Sequence, residues 1–329
     1  LEAQLAARLI GQSEAIRAVV PYVEMFQAGL APEGRPAGVF LLLGPTGTGK
    51  TRTVEALSEV LHGSAKSMIR VDCGEFQMEH EVAKLIGAPP GYLGHRETPP
   101  MFTQQKLSSV TSEKCGLSIV LFDEIEKAAA SMTRLLLGVL DKAALRLGDN
   151  TTVTFDRTMI FLTSNLGASG MAKELQPNFG FAAAAGAAHA PVRSRLEAIG
   201  MSAVRRKFSP EFVNRIDSIV TYSPLSAESL DRILDLQLAA MQQHLDRRLG
   251  ARTFVLSLTA RAREAVLAQG SSLAYGAREL KRTLERNLLQ PVAARVSQGS
   301  IPPGSRVSLD AEGGTFSIHV VKARRLRVA

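Results

Sequence analysis

The feature that most constrains this chain is a run of five apolar residues, Val39–Leu43, that passes without a break into Gly44-Pro45-Thr46-Gly47-Thr48-Gly49-Lys50-Thr51. A helical pattern, Thr51–Leu61, follows at once. This matches GxxxxGK[ST] between a buried strand and a helix, the context that gives the motif its meaning. Glycines let successive backbone N–H groups turn inward around phosphate oxygens, and the helix N-terminus adds its positive end. Lys50 is placed to reach the β- and γ-phosphates and Thr51 to hold Mg²⁺, and Arg52, next on the helix, is expected among the nucleotide-binding residues.

Four further apolar runs read as buried strands: Met68–Val71, Ser118–Phe122, Thr158–Leu162 and Ser218–Tyr222. Helical patterns separate them, notably Ala128–Leu140, so the expected fold is α/β: a five-stranded parallel sheet covered by helices on both faces. The opening stretch to Gly29 carries apolar residues at helical spacing, broken at Gly11-Gln12. Beyond Ser223-Pro224 the pattern turns mostly helical (Ala227–Leu249, Thr259–Ala268, Ala277–Val296). A short β-like tail, Arg306–Leu309 and Phe316–Val321, closes it. A domain boundary is expected near residue 223, giving a large domain 1–222 and a small C-terminal domain 223–329. The alanine-rich run 182–190 reads as a flexible loop.

A second element bears on chemistry. The third strand runs into Asp123-Glu124, two carboxylates at the edge where open α/β sheets place ligands. Asp123 suits the Mg²⁺ shell, and Glu124 suits the orientation of a water for attack on a γ-phosphate. With the phosphate loop, the pair points to hydrolysis of a nucleotide rather than to binding alone.

Composition excludes several classes. No apolar run approaches the roughly 18 residues of a membrane-spanning helix. The chain reads as cytoplasmic, without a secretory leader. Its two cysteines, Cys73 and Cys115, offer neither a disulfide framework nor a CxxC zinc site and read as core residues. A net charge of +8 raises nucleic acid as a partner, but the arginines are scattered along helices, and four tyrosines with no tryptophan supply no basic-aromatic strip. No GxSxG or HExxH motif signals a peptidase.

Seven strings in order then resemble the AAA+ superfamily, and within it the Clp unfoldases, especially the second ATPase module of the ClpB and ClpC type: LIGQSEAI, GPTGTGKT, LIGAPPGYLG, VLFDEIEKA, FLTSNLGAS, FSPEFVNRID and AYGARELKR. The resemblance implies a P-loop αβα domain with a small C-terminal domain, hexameric rings, ATP/ADP with Mg²⁺ as cofactors, and ATP-driven threading of unfolded or tagged proteins through a central pore. It implies that Leu9 and Ile10 border the adenine and that Asn165 is the polar sensor of the γ-phosphate. It further implies that Arg215 is a finger presented to a neighbouring subunit and that Arg278 is a second sensor on the small domain. By local sequence alone Asn165 could close a turn, and Arg215 and Arg278 could be solvated surface arginines.

Gly91-Tyr92-Leu93-Gly94 matches the pore loop, whose tyrosine grips an extended polypeptide. Three readings of Phe179-Gly180-Phe181 stand open: docking to a ClpP-like peptidase ring, a surface insertion, or a cap for the fold. Two departures bear on the channel. His95–Pro100 replaces the usual Tyr-Glu-Glu-Gly-Gly, and the second pore-loop region reads Leu140–Asp149. The resembled proteins' first ATPase module, coiled-coil middle domain and N-terminal domain have no counterpart in the sequence. A piece of a longer protein and a single-ring member therefore both stay open. The competing functions are an AAA+ nucleic-acid motor or loader and a slow regulatory ATPase scaffold; Glu124 and Arg215 argue against the scaffold.

Overall fold

A computed structural model describes residues 1–87, 99–175, 192–270 and 276–321. The pore-loop residues Gly91–Gly94, the tripeptide Phe179–Phe181 and the alanine-rich run lie outside the described residues. The chain divides into two compact units, one of Leu1–Pro45 with Gly49–Ser223, the other of Thr46–Thr48 with Pro224–Ala329.

The first unit carries strands β1 (Gly38–Leu43), β2 (Ile69–Asp72), β3 (Ser118–Asp123), β4 (Ala144–Arg146), β5 (Thr152–Thr154), β6 (Thr158–Ser164) and β7 (Ser218–Thr221). Its helices are α1 (Glu2–Ala6), α2 (Ser13–Gln27), α3 (Lys50–His62), α4 (Ala83–Ile86), α5 (Gln104–Ser109), α6 (Ala130–Lys142), α7 (Ala168–Leu175), α8 (Val192–Lys207) and α9 (Pro210–Val213). Five strands form a parallel sheet in the order β2-β3-β6-β1-β7.

The three layers follow from strand periodicity. Successive side chains of a strand point to opposite faces. Val39, Leu41 and Leu43 of β1 join one core with Val120, Phe122, Ile160 and Leu162, covered by Met132, Leu136 and Val139 of α6 and Leu196 and Val204 of α8. Phe40 and Leu42 join the opposite core with Ile119, Leu121, Met159 and Phe161, under Ile16, Val19 and Val23 of α2 and Val54, Leu57 and Leu61 of α3. Both faces of β1 are buried along its whole length, so its sequence is apolar without alternation. All five expected strands form, and α2 starts after the Gly11-Gln12 break with Gln12 Nε2 donating to Ser223 O at 3.0 Å.

The expected second pore-loop region is not a plain loop. Its first residues finish α6, Ala143 takes a left-handed backbone (φ 46°), and β4 then pairs antiparallel with β5. Each of these strands has three residues, with only Leu145 and Val153 buried among them, too short a pattern for periodicity to reveal.

The second unit contains α10 (Ala227–Leu249), β8 (Val255–Leu258), α11 (Ala260–Gly270), α12 (Ala277–Leu284), α13 (Gln290–Ser297), β9 (Arg306–Glu312) and β10 (Thr315–Val321). A turn of π-helix, Glu285–Leu289, joins α12 to α13, so the expected helix continues with one wide turn. The expected β tail is an antiparallel hairpin, and β8, which the sequence pattern did not show, adds to it in parallel. Leu234, Val266, Leu280, Leu284, Val307 and Leu309 lie at its core. Among the described residues no helix is long and apolar enough to cross a membrane.

Phe40 is fully buried, stacks on Phe161 at 5.2 Å and meets Tyr22 edge-on at 5.0 Å. Phe40→Ala is expected to destabilise the first unit by about 3–5 kcal/mol, read as a fall in the denaturant midpoint of its unfolding.

Candidate functional site: the carboxyl ends of the central strands

β3, β6 and β1 lie consecutively in the sheet, and their carboxyl ends open on one edge. From β1 the chain turns through Gly44, whose φ of +149° and closeness to Tyr222 leave no room for a side chain: an added Cβ would stand 2.7 Å from the Tyr222 carbonyl oxygen. Gly49 enters α3 with φ +104°, a backbone that L side chains rarely adopt. An added Cβ there would stand 3.7 Å from Leu9 Cδ1, which sets the buried Leu9 beside this turn, next to the buried Ile10. Thr53 in the first turn of α3 donates to Gly49 O and shares a 2.6 Å hydrogen bond with the fully buried Tyr222 hydroxyl. Burial pushes the Tyr222 phenol up, and the Thr53 hydrogen bond opposes that shift.

Lys50 opens α3 and is buried. Its ammonium donates to Gly44 O at 2.7 Å, Pro45 O at 2.8 Å and Asn165 Oδ1 at 2.9 Å. Asn165 follows the last residue of β6, and its Nδ2 donates to Glu124 Oε1 at 3.3 Å. One amide thus faces a cation with its oxygen and an anion with its nitrogen, so charge sets its orientation. The structure brings together Lys50, Asn165 and Glu124, three residues that stand far apart in the sequence.

The acidic end of β3 is held by β6. Thr163 donates to Asp123 Oδ1 and accepts the Glu124 N–H at 3.0 Å, bridging the two acids. Register explains it: Phe122 lies opposite Leu162, so the next residues, Asp123 and Thr163, meet at the ladder's end. Glu124 has a left-handed backbone (φ 57°, ψ 49°), which costs an L-residue roughly 1–2 kcal/mol and turns the chain off the strand. The other Asp123 oxygen pairs with Arg70 of β2, and Glu124 Oε2 pairs with Lys127. The hydrogen bond and negative charge of Glu124 raise the Lys127 ammonium's affinity for its proton. Arg70, Lys127 and Thr163 were not singled out by motif; strand register and the turn after β3 gather them.

The remaining expected residues have separate surroundings. Thr51 is half-buried in the first turn of α3, while Arg52 turns its guanidinium to Glu59 on the same helix, at 2.9 and 3.1 Å. Arg215, just after α9, pairs through Nε with Asp141 Oδ1 at 3.1 Å. Both partners are more than a third exposed, and such pairs are worth about 0–1 kcal/mol. Arg278 lies exposed on α12 of the second unit. Cys73 and Cys115 are buried free thiols, and burial together with the carboxylates around Cys73, Asp123 first among them, pushes its thiol up.

The donor set fits Mg²⁺. That ion takes hard oxygen ligands, commonly one or two carboxylates with phosphates and water; the Thr51 hydroxyl lies in the first turn of α3, directly after the glycine-rich turn, and the Asp123 carboxylate ends β3, two strands from β1 in the sheet. Among the described residues no group of three or more His, Cys, Asp or Glu forms a protein-only metal cage.

A parallel sheet, a glycine-rich turn entering a helix, and a lysine–asparagine–glutamate chain at the strand ends define a P-loop α/β protein. Residues 35–219 match the family model for the AAA domain (Cdc48 subfamily), and residues 225–309 match that for the C-terminal, D2-small domain of ClpB protein. The chain belongs to the AAA family and carries a D2-small domain of the ClpB type after it. Similar proteins include the chaperone protein ClpB of Rhodopseudomonas palustris, 39% identical over 97% of this chain and 34% of the relative. ClpB of Corynebacterium diphtheriae is 38% identical over 95% of this chain and 32% of the relative. The chain therefore spans about a third of the length of these relatives. Among solved structures, a closed-state cryo-EM reconstruction of Hsp104 with ATPγS and FITC-casein superposes with a TM-score of 0.80 at 29% identity, over 97% of this chain and 51% of that one.

Thr163→Val keeps the shape of the side chain and removes both hydrogen bonds, leaving the Glu124 N–H without its acceptor. It is expected to cost about 1–3 kcal/mol, measured by chemical denaturation, with Thr163→Ser retaining most of the stability.

Proposed function

We propose that the chain is an ATP-dependent protein-remodelling ATPase, hydrolysing ATP to ADP and phosphate and using the cycle to thread unfolded or tagged polypeptide through the pore of a homohexamer in the cytoplasm. The observation that carries this reading is the chain of hydrogen bonds Lys50–Asn165–Glu124 at the carboxyl ends of β1, β6 and β3, in a member of the AAA family. The ClpB relatives and the Hsp104 neighbour support the remodelling part. Residues 1–222 serve as the nucleotide-binding domain and 223–329 as the small C-terminal domain.

The chemistry divides among the residues as follows. Backbone N–H groups of Gly44–Gly49 and the N-terminus of α3 cradle the phosphates, and the Lys50 ammonium follows the charge of the β- and γ-phosphates. Thr51 and Asp123 would hold Mg²⁺, which neutralises phosphate charge when bound. Glu124 orients the attacking water and draws on its proton, while Asn165 relates that carboxylate to Lys50. Leu9 and Ile10 offer an apolar edge for the base. Arg215 acts as a finger toward an adjacent copy's ATP. Its weak, half-exposed pair with Asp141 leaves it free to exchange partners at little cost. Arg278 is the second sensor. Tyr92, flanked by Gly91, Leu93 and Gly94, grips the substrate. Phe179-Gly180-Phe181 is the candidate contact to a ClpP-like peptidase, the chain having no peptidase of its own, and degradation assays with and without that tripeptide decide between docking and a surface insertion.

Purified chain is expected to hydrolyse ATP only with Mg²⁺, and chelation with EDTA to abolish turnover. Glu124→Gln should lower kcat about 100-fold or more while nucleotide still binds, as followed with a fluorescent ATP analogue. Unchanged hydrolysis in Glu124→Gln would remove this reading. Tyr92→Ala should abolish unfolding of a tagged model protein and leave ATP hydrolysis within about twofold. Stimulation of hydrolysis by DNA but not by unfolded protein would instead support a nucleic-acid motor.

A further inference from the structure

A parallel strand that outruns its neighbour leaves main-chain groups with nothing to pair with. β6 extends past the last residue of β3 that shares its ladder, Phe122 opposite Leu162. β3 then ends at Asp123, and the left-handed Glu124 turns the chain away. The N–H of Asn165, the residue that links Lys50 to Glu124, thus emerges where the sheet has no carbonyl to offer from β3. The 3₁₀ turn Ile125–Lys127 brings a side chain back in place of the missing strand: the Asn165 N–H donates to Glu126 Oε1 at 3.0 Å. The other oxygen, Glu126 Oε2, is buried and has no hydrogen-bond partner among the described residues.

Keeping a carboxylate in such a place is costly unless it performs a task, because a buried acceptor without a donor loses its hydration for nothing. An apolar side chain would fill the space at lower cost, but it would leave the Asn165 N–H without an acceptor. We infer that Glu126 is a positioning residue for nucleotide hydrolysis: it pins the Asn165 main chain and so sets the amide that spans Lys50 and Glu124. The inference rests on the hydrolytic reading of this site. Glu126 itself touches no reacting atom, and its influence passes through Asn165. Without the pin, the residue after β6 keeps its side-chain bonds and the turn that follows, in which Asn165 O accepts the Ala168 N–H at 3.1 Å and Leu166 N–H donates to Ser164 Oγ at 3.2 Å. The amide then samples orientations that no longer aim Glu124, whereas the phosphate cradle on β1 and α3 is untouched.

The role predicts a split between turnover and binding. In the 329-residue chain, Glu126→Ala should lower kcat for ATP roughly tenfold or more while KM moves less than about threefold, the loss expected for one hydrogen bond to a charged group. Glu126→Gln retains an oxygen for the Asn165 N–H and should recover kcat to within about threefold of wild type. On an Asn165→Ala background, Glu126→Ala should change kcat less than about twofold, since both substitutions remove one effect. With ¹⁵N-asparagine labelling, the Asn165 amide proton should move upfield and exchange faster in Glu126→Ala but not in Glu126→Gln.

Wild-type kcat in Glu126→Ala, equal losses in the Gln and Ala variants, or full additivity with Asn165→Ala would each overturn the assignment. An Asn165 amide unaffected by Glu126→Ala would overturn the contact itself. Wild-type hydrolysis in Glu124→Gln would strike instead at the hydrolytic reading, a result separable from the Asn165 amide signal.

Discussion

The structure depends on how a parallel sheet ends. Inside the ladder every backbone group is paired by its neighbours, and the side chains need only be apolar, as the fully buried β1 is. At the carboxyl edge the ladder stops at different residues on different strands, and polar side chains must complete it. Thr163 accepts the Glu124 N–H, Glu126 accepts the Asn165 N–H, and Lys50 caps the carbonyls of Gly44 and Pro45. The groups that finish the sheet include those to which the proposed hydrolysis assigns its roles, so on that reading stability and chemistry share the same hydrogen bonds.

Charge is balanced at this edge by the same economy. Asp123 and Glu124 each place one oxygen on a cation, Arg70 and Lys127 respectively, and the other on a neutral donor of β6 or its end, Thr163 and Asn165. Arg70 and Lys127 are half-exposed, whereas Lys50 is buried. Water screens the two outer pairs and makes them cheap to exchange, while the inner chain Lys50–Asn165–Glu124 is held. On the hydrolytic reading proposed above, phosphate and Mg²⁺ would compete first for the outer partners.

Legibility in the sequence divides along the same line. The five central strands could be read because they are buried on both faces, which forces continuous apolar runs. Residues 44–52, Asp123 and Glu124 could be read because a turn or a strand end keeps them contiguous. Asn165, Arg215 and Arg278 were singled out by resemblance alone. Their local sequences allowed a turn or a surface arginine, and the structure shows Asn165 beside Lys50 and Glu124 but Arg215 beside Asp141. Thr163, Arg70 and Glu126 left no readable signal, because register between strands, and for Glu126 the turn after β3, brings them to the site. The hairpin β4–β5 and the edge strand β8 were missed for a different reason: three or four residues with few buried positions give no period to detect.

Register also explains why one residue can link the two halves of the chemistry. The phosphate cradle belongs to β1 and the acids to β3, and these strands are not neighbours; β6 lies between them. Any group that senses both must therefore stand at the end of β6, and it must offer an acceptor to one side and a donor to the other. A carboxamide does both from separate atoms, without a charge of its own. Asparagine in that place follows from the strand order, and the Glu126 contact follows in turn from asparagine's need for a main chain that holds still.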